Sequence, residues 1–270
     1  MLALLICSVV SYADEPLMES QWNGKKVVYL GDSITDASHV GCTKNYWGFL
    51  QDFLGIIPAV YGINGHQMSR VPGQIDRMQA ELGDSFDAVM IFCGTNDFNA
   101  SVPVGEWYTE KMDSVVIGGP RTVLRKHREH IMDNSTFKGR INIVLSRLKT
   151  AYPDRQIILL TPIHRAYAKF GPDNIQPDES WANEAGFYID DYVQAVKEAG
   201  NVWAVPVIDV NSLSGLYPMS EPYLKYFANQ ETDRLHPNTD GHRRLALSIA
   251  YQLPCLLYTS PSPRDSTSSR

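Results

Sequence analysis

Short runs of apolar residues recur along the chain, and residues that favour turns bound each of them. Runs of about four to eight apolar residues are typical of strands buried on both faces of a parallel sheet. They predict five strands, at Lys26–Leu30, Ile57–Tyr61, Ala88–Cys93, Gln156–Thr161 and Val202–Val207.

Longer amphipathic segments lie between these runs. Ile141, Val144, Leu145 and Leu148 recur at spacings of three and four residues, which places them on one face of a helix. Segments of this kind predict helices at Trp47–Leu54, Val71–Glu81, Phe137–Ala151, Trp181–Ala199 and Asp240–Gln252. Strands that alternate with helices predict an α/β fold with a doubly wound parallel sheet. Such sheets bind ligands at the carboxyl ends of their strands, so the chemistry is expected directly after each apolar run.

One segment, residues 99–135, follows the third predicted strand as a long insertion. Gly118-Gly119-Pro120 interrupts it, and it contains Trp107 and Tyr108. Long loops inside compact domains are usually lids or walls of a functional site. A solvated excursion is an equal alternative.

Composition narrows the class of protein. The chain has 270 residues, with 44% apolar and 20% charged positions, which are ordinary values for a globular domain. Its net charge of −6 argues against a nucleic-acid partner, because such binding needs a basic surface. No apolar run reaches the roughly 18 residues that cross a bilayer, so no stable membrane span is expected. Four cysteines are too few for a disulfide scaffold.

Both ends of the chain differ from the middle. Residues 1–13 read MLALLICSVVSYA, a short apolar run followed by small residues, and predict a secretory signal peptide. They therefore predict a secreted or periplasmic protein of bacterial origin. Residues 255–270 are rich in Ser, Pro and Arg, which predicts disorder, and they resemble the translated sequencing adaptor that ends many metagenomic gene models. A single domain over residues 24–254 remains, with Cys42 and Cys93 expected to be unpaired, although export would permit a disulfide.

Four polar blocks stand in the places where ligands are expected. Gly31-Asp32-Ser33 follows the first strand, Gly62-Ile63-Asn64-Gly65-His66 the second, and Gly94-Thr95-Asn96-Asp97 the third. Asp233-Arg234-Leu235-His236 lies near the end of the chain. Each block alone is a common turn, but their order, with three of them at strand ends, is specific.

These blocks resemble those of the SGNH (GDSL-type) hydrolase superfamily, over nearly all of the predicted domain. The resemblance implies a flavodoxin-like three-layer α/β/α sandwich with a five-stranded parallel sheet. It implies an esterase, lipase, lysophospholipase, thioesterase or carbohydrate deacetylase that needs no cofactor and no metal. The family pattern places Ser33 in GDS, Gly65 in GINGH, Asn96 in GTND, and Asp233 with His236 in DRLH.

The chemistry of these residue types supports the same assignment. A serine hydroxyl needs an adjacent base, and His236 has a carboxylate, Asp233, three residues before it in a predicted turn. The backbone N–H groups of Ser33 and Gly65 and the amide of Asn96 can form an oxyanion hole. Asp32 is expected to be structural, accepting backbone N–H bonds. No Gly-x-Ser-x-Gly elbow is present, which disfavours the α/β-hydrolase fold.

The substrate is predicted less directly. Export, acidity and several aromatic residues favour the release of acetyl or other short acyl groups from a small-molecule or polysaccharide ester. A lysophospholipase or arylesterase of the same superfamily is the alternative. Candidate substrate-binding residues are His66, Phe98, Trp107, Tyr108 and His164.

Two other classes of function are weaker hypotheses. A metal-dependent hydrolase would use Asp233, His236 and His242, but the chain has no compact metal-ligand motif. His242 is expected to be exposed on the last helix. A non-catalytic binding module would leave the four blocks unexplained, and no Gly-rich phosphate motif follows a strand.

Overall fold

The computed structural model describes residues 20–256, so the predicted signal peptide and nearly all of the predicted tail lie outside the described residues. The strands are β1 (Lys26–Gly31), β2 (Ile57–Val60), β3 (Ala88–Phe92), β4 (Tyr108–Ile117), β5 (Arg121–His130), β6 (Gln156–Leu160), β7 (Ala168–Gly171), β8 (Asn174–Gln176), β9 (Val207–Ile208), β10 (Phe227–Asn229) and β11 (Asp233–Pro237). The α-helices are α1 (Tyr46–Leu54), α2 (Val71–Leu82), α3 (Thr95–Asn99), α4 (Phe137–Ala151), α5 (Ile189–Trp203), α6 (Val210–Leu213) and α7 (Thr239–Ala250).

Five parallel strands form the central sheet, in the order β2-β1-β3-β6-β9. Counted among themselves in chain order, these strands lie 2-1-3-4-5, which is the flavodoxin-like arrangement. The predicted five-stranded parallel sheet is therefore confirmed.

Two apolar layers cover the faces of this sheet. Side chains alternate along a strand, so Val28 and Leu30 of β1 join the core layer that contains residues of α2, α4 and α5. Val27 and Tyr29 join the opposite layer, with residues of α1 and α7. The molecule is an α/β/α sandwich, as the resemblance implies.

Two predicted elements have the wrong bounds. The helix predicted at Trp181–Ala199 begins only at Ile189, because Asn183 folds the preceding segment by accepting the N–H groups of Ala185 and Phe187. The helix then continues to Trp203, where Ala204 ends it in the left-handed conformation with φ of 50°. Of the strand predicted at Val202–Val207, only Val207 lies in a strand, and the observed strand β9 is Val207–Ile208.

The long insertion contains a β-hairpin. Its strands β4 and β5 pair in register from Tyr108↔His130 to Ile117↔Arg121, and most of their side chains are exposed. At its base the ring of His130 stacks on Trp203, with 4.4 Å between ring centroids. No residue of the hairpin lines the pocket that contains Ser33. The hairpin is therefore a folded, solvent-exposed excursion and does not form a wall of that pocket.

A second, antiparallel sheet has the strand order β10-β11-β7-β8. Its strand β11 carries Asp233 and His236, and Ala168 of β7 pairs with Asp233. This small sheet brings two late segments of the chain to the edge where β1 and β3 end. Within residues 20–256, no helix combines the length and apolar character that crossing a membrane needs.

Candidate active site

Ser33 lies in the turn that follows β1 and is almost completely buried. Gly31 permits this turn, because a Cβ at that position would lie 2.2 Å from the carbonyl oxygen of Phe92 on β3. Asp32 closes the turn by accepting the N–H of Ile34 at 3.1 Å, which confirms its predicted structural part. Burial raises the pKa of Asp32 to about 7, although the Ile34 N–H and the nearby His236 oppose the shift.

Ser33, His236 and Asp233 form one hydrogen-bonded chain. Nε2 of His236 lies 2.9 Å from Oγ of Ser33, and Nδ1 lies 2.9 Å from Oδ2 of Asp233. An ionised carboxylate only accepts hydrogen bonds, so Nδ1 carries a proton toward Asp233. In the neutral ring, the lone pair of Nε2 then faces the serine hydroxyl, which is the arrangement a general base needs.

Asp233 also holds the backbone that presents the imidazole, which lies in strand β11 and not in the predicted turn. Its Oδ1 accepts the backbone N–H groups of Leu235 at 3.2 Å and of His236 at 3.0 Å. The side chains of His236 and Asp233 are 7% and 14% exposed, so both are largely shielded from water. The same carboxylate therefore positions the backbone and the ring.

Gly65 and Asn96 reach the same pocket from the ends of β2 and β3. Gly65 has φ of 76°, a left-handed conformation that favours glycine, and nothing lies within 4 Å of the place where a Cβ would stand. Nδ2 of Asn96 donates to the backbone oxygen of His66 at 3.0 Å, which ties α3 to the loop that carries Gly65. The structure thus brings all four sequence blocks together.

The pocket around Ser33 has a volume of about 260 Å³. Besides the predicted residues Ser33, Gly65, Asn96 and His236, its lining includes Val40, Asn64, Phe170, Asn174, Gln176 and Leu235. The ring of Phe170 lies beside His236, with 5.3 Å between ring centroids.

Sequence reasoning missed Phe170, Asn174 and Gln176, which belong to the hairpin β7–β8. This hairpin reaches the pocket only because it pairs with β11, more than fifty residues later in the chain. A local signal was present: Gly171-Pro172-Asp173 is a turn sequence between Phe170 and Ile175, two residue types that favour strands. It predicts a hairpin, but not where the hairpin packs.

Five residues proposed to contact substrate lie outside this pocket. Phe98 and Trp107 are buried in the core layer, where Nε1 of Trp107 donates to Glu198 at 2.8 Å. Tyr108 packs against His130 at the base of the exposed hairpin. Large aromatic side chains bury much apolar area, and here they bury it by packing inside the fold and not at the site.

The two histidines of that group also have other surroundings. Nδ1 of His164 lies 2.8 Å from Oε1 of Glu179, and this hydrogen bond raises the pKa of His164. His66 lines a second cavity, which adjoins the Ser33 pocket at Asn64 and Gly65. His66 thus lines a cavity next to the candidate site.

The prediction for His242 is wrong. The side chain is fully buried under α1, and its Nδ1 accepts the backbone N–H of Tyr46 at 3.2 Å. Burial lowers the pKa of His242 to about 3, so the ring is neutral. Among the residues that the structure describes, no group of three His, Cys, Asp or Glu side chains is arranged to hold a metal ion. Cys42 and Cys93 are free thiols.

Comparisons with known proteins agree with this geometry. A family model described as "GDSL-like Lipase/Acylhydrolase family" matches residues 29–244. A search of curated proteins found no match.

Solved structures share the fold. A protein from Lactobacillus plantarum is 24% identical, with 87% of this chain and 97% of that chain covered and a TM-score of 0.64. A possible lipase from Chitinophaga pinensis is 21% identical, with 84% and 97% covered and a TM-score of 0.63. A catalytic mutant of an acetylxylan esterase from Geobacillus stearothermophilus is 20% identical, with 88% and 98% covered and a TM-score of 0.52.

Proposed function

The chain belongs to the GDSL-like lipase/acylhydrolase family and is an ester hydrolase, and we propose that it works through an acyl-enzyme on Ser33. The observation that carries this proposal is the hydrogen-bonded chain from Oγ of Ser33 through His236 to Asp233, with both outer contacts at 2.9 Å. A hydroxyl so placed has the base that it needs to become a nucleophile.

The reaction follows from where the protons lie in these three hydrogen-bonded side chains. Oγ of Ser33 attacks the ester carbonyl while Nε2 of His236 takes its proton, and the resulting imidazolium is stabilised by Asp233. The imidazolium then protonates the leaving alcohol as the ester C–O bond breaks. Water attacks the acyl-enzyme in the same way: His236 takes a proton from it and returns that proton to Ser33, and the free acid leaves.

The oxyanion of each tetrahedral intermediate needs hydrogen-bond donors. We assign this part to the N–H groups of Ser33 and Gly65 and to Nδ2 of Asn96. Neither of these backbone N–H groups donates to a backbone carbonyl within residues 20–256, which supports the assignment. One such donor contributes about 100- to 1000-fold to the rate of comparable enzymes.

For the substrate we propose a short acyl group on a carbohydrate. The Ser33 pocket of about 260 Å³ has few apolar side chains, namely Val40, Phe170 and Leu235, and these suit a short acyl group better than a long chain. The adjoining cavity is polar and suits a hydroxyl-rich alcohol. One protein of the same fold is an acetylxylan esterase. Export through residues 1–13 belongs to the same proposal, and N-terminal sequencing of protein secreted by a bacterial host would test it.

A substitution and a series of substrates test the function together. We expect Ser33→Ala to abolish turnover of p-nitrophenyl acetate, while Ser85→Ala, which removes a hydroxyl at an exposed position, keeps it. Along a series from acetate to laurate esters, kcat/KM should fall steeply after the shortest members. Retained turnover in Ser33→Ala would overturn the acyl-enzyme proposal, and a preference for long chains would favour the lysophospholipase alternative.

A further inference from the structure

A second cavity of about 510 Å³ adjoins the Ser33 pocket and shares Asn64 and Gly65 with it. Its other lining residues include His66, Arg70, Asn134 and Arg140, and among the residues that the structure describes no apolar side chain lines it. The space that adjoins Ser33 beyond Gly65 is therefore lined by polar side chains.

The charges around this cavity are unusual for an acidic protein. Two guanidinium groups, those of Arg70 and Arg140, line it, and no carboxylate does, although the net charge of the chain is −6. The acids nearby accept hydrogen bonds from the protein: Asp36 from Asn64, Asp97 from Met68 and Arg140, and Asp133 from Ser135. These carboxylates do not line the cavity, so the charged side chains of its lining are the two guanidinium groups.

Arg140 is held in place before any ligand arrives. Its Nε donates to the backbone oxygen of Asn134 at 2.7 Å, and one terminal nitrogen donates to Gln67 at 2.8 Å and to Asp97 at 2.7 Å. The other terminal nitrogen has no partner within residues 20–256. Arg70 is exposed, and no carboxylate of the described residues lies within ion-pair distance of it. Arg140 is thus fixed and ion-paired with the buried Asp97, and Arg70 is the guanidinium that can adapt.

His66 adds a neutral donor. Gly31 orients the side-chain amide of Gln74. Oε1 of Gln74 accepts the N–H of Gly31 at 2.9 Å, and Nε2 donates to the carbonyl oxygen of Gly31 at 2.8 Å. The same Nε2 lies 3.0 Å from Nδ1 of His66, so Nδ1 accepts and the proton of the neutral ring stands on Nε2. Partial burial and the nearby Arg70 lower the pKa of His66, which favours this neutral form.

We propose that this cavity binds an anionic group of the ester substrate, a carboxylate or a phosphate, between Arg70, Arg140 and His66. Guanidinium groups bind both anions with charge-assisted hydrogen bonds, and the polar lining accommodates the sugar that carries the charge. The inference rests on the proposed esterase function of Ser33 and names its substrate class: acylated acidic sugars.

The test compares substrates that differ only in charge. We would measure kcat/KM for an acetylated neutral sugar, the corresponding acetylated uronic acid and the corresponding acetylated sugar phosphate. We expect the wild-type enzyme to prefer at least one anionic substrate over the neutral one, and the preferred anion identifies the source of the charge. The selectivity ratio, anionic over neutral, should fall about tenfold in Arg70→Gln and further in Arg70→Glu.

Arg121→Gln is the matched control, because it removes one guanidinium at the exposed tip of the hairpin β4–β5, and it should keep the wild-type ratio. A wild-type enzyme without preference for either anion, or an unchanged ratio in both Arg70 variants, would overturn the inference. Either result can occur while the neutral acetate is still hydrolysed in a Ser33-dependent way. Failure of this inference can thus be distinguished from failure of the proposed function, because the second would appear as ester turnover that does not depend on Ser33.

Discussion

Replacing Asp233 with Asn changes one atom in the middle of the hydrogen-bonded chain. In the wild-type protein, Oδ1 of Asp233 accepts two backbone N–H groups, and Oδ2 lies 2.9 Å from Nδ1 of His236. The amide oxygen of Asn can keep the backbone bonds, which leaves its NH₂ group facing Nδ1. A donor at that place requires Nδ1 to accept, so the ring proton moves to Nε2 and points at Oγ of Ser33.

The expected loss is large because the base is lost, not weakened. With the proton on Nε2, the imidazole 2.9 Å from Oγ donates to the serine and cannot take its proton. A wrong tautomer of this kind lowers kcat on the order of 10⁴-fold, which is roughly 5.5 kcal/mol of transition-state stabilisation. Stability should change little, because the two backbone N–H groups keep an acceptor.

The assay is steady-state hydrolysis of p-nitrophenyl acetate, with thermal unfolding measured on the same samples. Asp240→Asn is the matched control, because it neutralises an exposed acid in the first turn of α7, seven residues away, and it should keep wild-type kcat. A folded Asp233→Asn variant that keeps more than about one-hundredth of wild-type kcat would refute the reasoning, because a wrong tautomer costs far more.

Three further outcomes can be measured. Asn96→Ala should lower kcat about 100- to 1000-fold in the same ester assay, because it deletes one oxyanion donor. His242→Gln should remove part of the acid sensitivity of folding: the pKa of His242 falls from 6.5 to about 3 on burial, so the unfolded chain binds the proton first. In urea titrations, the free energy of unfolding of the wild type minus that of the variant should therefore be constant above pH 6.5. Below pH 6.5 this difference should fall by about 1.4 kcal/mol per pH unit toward pH 3. A difference that does not change with pH would contradict this. Replacing residues 110–128 by an Asn-Gly turn should leave kcat/KM within about twofold and the free energy of unfolding within about 1 kcal/mol, because the hairpin lines no part of the Ser33 pocket.

The local sequence pattern was sufficient to predict those strands and helices whose formation depends on residues close together in the chain. Continuous apolar runs can only be buried on both faces, so β1, β3 and β6 were predicted to within one residue of their observed bounds. The helix Phe137–Ala151 was predicted with its observed bounds, because its apolar face repeats cleanly and Thr136 caps it through the N–H of Gly139. Where a polar side chain accepts nearby backbone N–H groups, as Asn183 does, the apolar periodicity predicted a helix that begins too early.

The candidate site divides in the same way. The sequence by itself determined which residues stand at the ends of parallel strands, and the ends of such strands meet at one edge of the sheet. The positions of Ser33, Gly65 and Asn96 along the chain are therefore enough to predict that they lie together. Asp233 could be matched with His236 because a spacing of three residues is itself local, although the structure places both residues in strand β11 and not in a turn.

Only the tertiary structure decided what surrounds these groups. The pairing of β7 with β11 carries Phe170, Asn174 and Gln176 to the pocket, and no residue near them in the chain specifies that pairing. Packing also decided that Trp107 and His242 are buried, and that a donor-rich cavity with two arginines adjoins Gly65. Such contacts join residues far apart in the chain, and their energies depend on which faces meet, which is a property of the assembled layers and not of any short segment.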